Sequence, residues 1–234
     1  MAKLFLAMAK TKLISAQEAF ARLKKGNLRF LRKRREGGEL YQQKDASWFQ
    51  VKPRGPFAII LSCSDSRAPA EILFDQGLGD LFVIRVAGNI VAPSQVGSVE
   101  FAAATTQARL VIVMGHTECG AIRATLDALE GKKSVPAENV QAIVSRIRPH
   151  IEKLVWGSRR SRKKRESVWR DSVRANVLAS TDHLRHGSRF LEELVREKKL
   201  VIIGAEYCLE TGTVDFFDNP LSSAKSKKPK RKKP

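Results

Sequence analysis

The chain has 234 residues, 43% of them hydrophobic, enough to bury the core of one α/β domain carrying an arm or tail. No apolar run reaches the roughly 20 residues a membrane-spanning helix needs, and the composition is globular rather than disordered. The net charge of +19 first suggests a polyanion binder, yet seven cations lie in Ser222–Pro234 and six in Arg159–Arg165, and without those runs the net charge falls to +6.

Met1–Leu6 is shorter than a secretory h-region and reads as an unprocessed N-terminus. Ser15-Ala16-Gln17-Glu18 is a capping box, so a helix is expected from there, with Ala19, Phe20 and Leu23 at helical spacing and Gly26 a point of interruption. Arg29–Arg35 is polar and basic, and Gly37-Gly38 closes it. Residues 1–50 are therefore expected to form a helical arm outside a central domain of residues 51–221.

Four apolar runs follow, Phe57–Leu61, Leu81–Val86, Leu110–Met114 and Leu200–Ile203. Each is rich in Val, Ile or Leu with little alternation, as strands buried on both faces are. Ser98–Gln107, Gly120–Leu129, Val140–Trp156 and Val173–Glu197 read as helices, the last two around a basic hinge at Gly157–Arg165, with Gly187 a break. Strand, crossover helix and strand in succession predict an α/β fold with a mainly parallel central sheet flanked by helices. Residues 222–234, dominated by Lys, Pro and Ser, are expected to be a disordered basic tail, a candidate contact for an acidic partner or nucleic acid.

Two of the strands run into candidate chemistry. The first leads into Ser62-Cys63-Ser64-Asp65-Ser66-Arg67, the third into Gly115-His116-Thr117-Glu118-Cys119-Gly120. In an open parallel sheet the carboxyl ends of the strands line one edge, so Cys63 and His116 are expected to meet. Two thiolates and one imidazole leave one coordination position open, the pattern of catalytic zinc. Cys119 is expected at the first turn of its helix, where a thiolate is favoured. Three cysteines cannot all pair, and two stand at metal spacing, which predicts a reducing, cytoplasmic compartment. The competing reading is two buried cysteines and a surface histidine that never meet.

Cys63-x-Asp65-x-Arg67 followed by His116-x-x-Cys119-Gly120 resembles the signature of the β-class carbonic anhydrases. So do Phe74–Phe82, Arg85-Val86-Ala87-Gly88-Asn89, Gly97-Ser98, Asn176-Val177, Ser188 and Leu200–Thr213, a likeness running from Ser15 to Phe217. The resemblance implies one Zn2+ per chain held by Cys63, His116 and Cys119, a catalytic pair in Asp65 and Arg67, and an N-terminal arm that embraces a partner subunit. The smallest active unit would be a homodimer, alone or as a dimer of dimers. The implied reaction is reversible hydration of carbon dioxide to bicarbonate and a proton, by zinc-bound hydroxide that Asp65 orients. Two thiolates cancel the formal charge of the metal, so its water should stay protonated to higher pH.

One subgroup of the family adds a regulatory bicarbonate site. Arg85 and Tyr207 stand in two of its places, but Ile60 replaces the tryptophan of the third. Two other functions compete, a carbon disulfide or carbonyl sulfide hydrolase of the same fold and a nucleic-acid-binding protein with a structural zinc. Few aromatics stand among the basic runs, which weighs against the latter. Cys208 is expected to be a small buried hydrophobe, His150, His183 and His186 to be surface or helix-end residues, and Asn89 to be a turn residue.

Overall fold

A computed structural model describes residues 14–38, 55–106, 108–132, 137–161 and 165–221. The expected tail and the first and last parts of residues 1–50 lie outside the described residues.

The described elements are α1 (Ala16–Arg35), β1 (Ala58–Ser62), α2 (Ala70–Leu73), β2 (Leu81–Arg85), α3 (Pro93–Thr105), β3 (Leu110–His116), α4 (Gly120–Leu129), α5 (Glu138–Ser161), α6 (Arg165–His186), α7 (Arg189–Arg196), β4 (Val201–Tyr207) and β5 (Val214–Phe217). The sheet order is β2-β1-β3-β4-β5, with β1 to β4 mutually parallel and β5 antiparallel to β4. The α/β architecture with a mainly parallel sheet is as expected. β5 is an addition, too short and too mixed in character to stand out as a strand in the sequence.

The chain leaves β1 for β2 on one side and returns to place β3 on the other. The switch in strand order therefore falls between β1 and β3, where a crevice opens at the carboxyl ends. Ile60, Ile112 and Met114 meet Leu23, Phe30, Leu73 and Phe74 on one face. Ile59, Leu61, Val111 and Val113 meet Val99, Val177, Leu184 and Leu191 on the other. Burial on both faces is why the strands read as continuous apolar runs.

Several boundaries differ from expectation for identifiable reasons. The Ser15–Glu18 capping box forms, but α1 passes through Gly26 unbroken. Gly26 is a contact point, since a Cβ there would lie 1.7 Å from the Phe74 carbonyl oxygen. α1 also packs on the sheet domain rather than standing apart from it. It buries Ala16, Ala19, Leu23, Gly26, Asn27 and Phe30, and Asn27 Nδ2 donates to the carbonyls of Leu73 (3.2 Å) and Gly212 (3.1 Å). α3 begins at Pro93, whose fixed φ suits the first helical turn, rather than at Ser98. The described residues of the basic hinge are helical. α5 continues to Ser161, and α6 begins at Arg165, which bridges Asp127 (2.5 Å) and Glu130 (2.9 Å) on or beside α4. Gly187 does separate α6 from α7.

Candidate metal centre

Each donor of the centre stands where an element ends. Cys63 directly follows β1, His116 is the last residue of β3, and Cys119 is the N-cap of α4. Because β1 and β3 are register-locked neighbours, Ser62 opposite Met114, their ends arrive together. The ligand atoms of Cys63, His116 and Cys119 lie within 4.8 Å of one another, and all three residues are buried. The competing reading of a histidine stranded on the surface is thereby corrected.

The surroundings favour ligation. His116 Nδ1 is 2.8 Å from the Thr117 carbonyl oxygen, which can only accept, so the proton sits on Nδ1 and Nε2 carries the lone pair. That Nε2 is buried and has no hydrogen-bond partner among the described residues. A buried orphaned acceptor beside two sulfurs suits a tetrahedral borderline-soft cation, and the donor set fits zinc with one position left open. The neighbouring Cys119 thiol pulls the Cys63 thiol down to about 4, against burial. Nearness to Cys63, together with burial, pushes Cys119 up, while the amides of Ala121 and Ile122 pull it the other way. Burial pulls His116 down, but the Cys63 sulfur beside it outweighs this and raises it.

Asp65 and Arg67, the pair that the family resemblance implied, meet fork to fork. Arg67 Nε donates to Asp65 Oδ1 at 3.0 Å and Nη2 to Oδ2 at 2.9 Å, and the Arg67 amide adds a third bond at 2.9 Å. Those bonds hold the Asp65 carboxyl down at about 2 against a smaller effect of burial. Asp65 Oδ2 lies 3.9 Å from His116 Nε2, at the margin of the metal position. Arg67 Nη1 reaches Glu118 at 3.5 Å.

Sequence reasoning missed the supports behind this ring. The Gly88 amide donates to Cys63 Sγ at 3.3 Å, from a backbone at φ 68° where a Cβ would lie 2.9 Å from that of Ala121. Asn176 Nδ2 fixes that turn through the Gly88 carbonyl (2.8 Å), and Ser180 through that of Asn89 (3.1 Å). Gly88-Asn89 and Asn176 stood inside the family-like motifs, so a signal existed. Trp169, which donates to the Cys119 carbonyl at 3.3 Å, carried none.

Arg85 spends its donors on the carbonyls of Cys63 (3.1 Å) and Asp65 (2.5 Å), while Ile60 and Tyr207 are buried in the core. Cys208 follows β4, which is not the last strand, and is only half-buried, so its expected core role is corrected. Burial pushes its thiol up, but bonds from Thr211 and Glu210 outweigh that and lower it. His150 lies on α5 and His183 and His186 on α6, all exposed, and the described residues give them no part in a metal cluster. Asn89 does occupy a turn, at φ 42°. A cleft of about 890 Å³ opens beside the centre between Arg67, Glu118, Trp169, Arg174 and Glu206.

Residues 58–214 match the family model described as carbonic anhydrase. A carbonic anhydrase of Mycolicibacterium smegmatis is 42% identical over 137 residues, 57% of this chain and 63% of that relative, so this match spans under two thirds of the relative's length. Carbonic anhydrase 2 of Mycobacterium tuberculosis is 33% identical over 201 residues, 86% of this chain and 92% of that protein. Among solved structures, a tetrameric β-carbonic anhydrase of Sordaria macrospora superposes with a TM-score of 0.60 at 19% identity, over 70% of this chain and 82% of its own, a likeness of fold. No helix among the described residues is long and apolar enough to cross a membrane. A match across both motifs, joined to the fold they require, places this chain in the carbonic anhydrase family, in its β class.

Proposed function

We propose that the protein catalyses the reversible hydration of carbon dioxide to bicarbonate and a proton, with one zinc ion held by Cys63, His116 and Cys119. The observation that carries this reading is the convergence of those three donors beside the Asp65–Arg67 pair. Zinc at such a site supplies Lewis acidity that makes bound water a nucleophile. The remaining work falls to the chain. Arg67 keeps Asp65 ionised and fixes its plane through two parallel bonds. Asp65 Oδ2 is then an acceptor able to receive the O–H of the attacking water and turn its lone pair toward carbon dioxide. The His116–Thr117 contact keeps the imidazole in the tautomer that offers Nε2 inward.

Residues 51–221 would form the catalytic domain, as the family match over 58–214 supports. Assembly as a homodimer or dimer of dimers, and a cytoplasmic location, complete the reading. For the basic tail, contact with an acidic partner or nucleic acid rests on its seven cations alone.

Stopped-flow hydration across pH, with zinc measured on the same sample, tests the proposal. About one zinc per chain and a rate rising through the alkaline range are expected, with metal and activity lost together in Cys63→Ala and Cys119→Ala. Stoichiometric zinc without hydration, accompanied by turnover of carbonyl sulfide or carbon disulfide, would instead identify the hydrolase.

A further inference from the structure

Trp169, half-buried on α6, lines the cleft beside the metal position together with Arg67, Thr117 and Glu118. Its Nε1 donates to the Cys119 carbonyl at 3.3 Å. That carbonyl already accepts the first bond of α4, from the Arg123 amide at 3.0 Å, so Trp169 takes its second lone pair. Arg123 also steadies the indole, its guanidinium carbon 5.0 Å from the ring centroid. The peptide that follows Cys119 is thus held by its own helix and by α6 together.

That peptide needs holding. Glu118, the residue before Cys119, sits at φ 58°, a left-handed conformation that a non-glycine residue keeps only under constraint. The turn lets His116 and Cys119, close in the chain, present their donors to one point. Gly120, which follows, has open space where a Cβ would stand, so side-chain packing does not fix the chain there. The Cys119 side chain makes no capping bond of its own. The other sulfur donor is supported in a parallel way, since Arg85 Nε donates to the Cys63 carbonyl at 3.1 Å. Arg85 clamps the backbone of one cysteine and Trp169 that of the other.

We propose that Trp169 is a positioning residue of the metal centre, its indole N–H fixing the Cys119 backbone so that the sulfur is in place before zinc arrives. The inference rests on the zinc reading above. Donors arranged in advance lose less freedom when the ion binds, so the ion is held more tightly. The ring also joins the apolar cluster that contains Cys63, Cys119, Ile122 and Val173. Filling that space would need only a ring, which phenylalanine supplies as well. The N–H is what sets tryptophan apart.

Trp169→Phe keeps an aromatic face for Arg123 and for the cleft but has no donor. Zinc affinity, measured by competition with a chromogenic chelator, should fall roughly tenfold or more in Trp169→Phe. The thiolate-to-metal charge-transfer band of the cobalt(II)-loaded protein should shift with it, reporting a displaced sulfur. Trp169→Ala should weaken zinc by a similar factor, although it lowers the melting temperature of the metal-free protein further than Trp169→Phe does. A space-filling role predicts another order, with wild-type affinity and spectrum in Trp169→Phe and loss only in Trp169→Ala, and that result would overturn the proposal. A second measurement needs no substitution at this position. The Trp169 indole N–H, assigned by NMR with Trp48→Phe and Trp156→Phe, should exchange slowly with solvent, and exchange as fast as that of free indole would refute the bond. Wild type that takes up neither zinc nor cobalt would sink the zinc reading itself. Wild-type uptake matched by equal affinity in Trp169→Phe would sink this inference alone.

Discussion

At the scale of the residue, Asp65 and Arg67 should act as one unit. Three hydrogen bonds from Arg67 hold the carboxylate ionised and aimed, and without them Asp65 is free to swing toward His116 Nε2, now 3.9 Å away. Arg67→Ala should therefore keep zinc yet lose hydration roughly a hundredfold, as orienting groups at reaction centres do on removal. Asp65→Ala should likewise keep zinc, because three other side chains supply the donors. The double variant should be scarcely worse than either single one. Zinc content and hydration rates over the double-mutant cycle check this, and two independent multiplicative losses would refute it. The pair was legible because Cys63-x-Asp65-x-Arg67 matches the family motif. The Gly88 amide, which supports the Cys63 sulfur equally directly, was not legible as a donor, since every residue but proline carries an N–H.

At the scale of the element, α1 decides between helix propensity and packing. Alanine exceeds glycine by about 1 kcal/mol in a helix interior, which predicts that Gly26→Ala stabilises if α1 is a free arm. Here the added Cβ would lie 1.7 Å from the Phe74 oxygen and 2.7 Å from its carbon, both backbone atoms that yield only if α1 shifts. Overpacking of this kind costs about 1–3 kcal/mol, occasionally more, so it outweighs the propensity gain. Gly26→Ala is therefore expected to lower stability by about 2 kcal/mol in urea unfolding, and a gain would mean that α1 does not dock as described. Sequence identified the helix through its capping box. It read Gly26 as an interruption because a glycine that admits a neighbouring carbonyl looks the same as one that breaks a helix.

At the scale of the whole molecule, α1 is tied to the domain by charge as well as by packing. Arg29 Nε and Lys33 Nζ meet Asp75 at 2.5 and 2.8 Å, just beyond α2. Burial pushes the Asp75 carboxyl up, but Lys33 and Arg29 together outweigh it and hold the carboxyl below its usual range. A group depressed in the folded state stabilises above its unfolded value of about 3.9 and loses that stabilisation as pH falls through the folded value. The side chains are partly exposed, so the contribution is about 1 kcal/mol or less after screening. Asp75→Asn should be less stable than the wild type by a constant amount near neutral pH, and the difference should close under acid below about pH 4. Urea unfolding over that range checks both the gap and its closure. A single cooperative transition is expected in both proteins, because α1 shares its core with β1 and β3.

The sequence by itself determined the class of fold, the four parallel strands and the three residues whose ligand atoms meet, Cys63, His116 and Cys119. Unbroken apolar runs are the mark of strands covered on both faces, and those three residues stand in short motifs directly after two of the runs. Only the tertiary structure decided what those motifs rest on. That Trp169 holds the Cys119 carbonyl, that Gly26 admits the Phe74 carbonyl and that Arg174 spans Glu206 and Asp215 depends on residues 48–50 positions apart or on opposing strands. Such contacts leave no periodicity in the chain. They arise where α1 packs against Phe74 and α6 against Cys119 and Glu206, and a residue there takes its meaning from its neighbours in space.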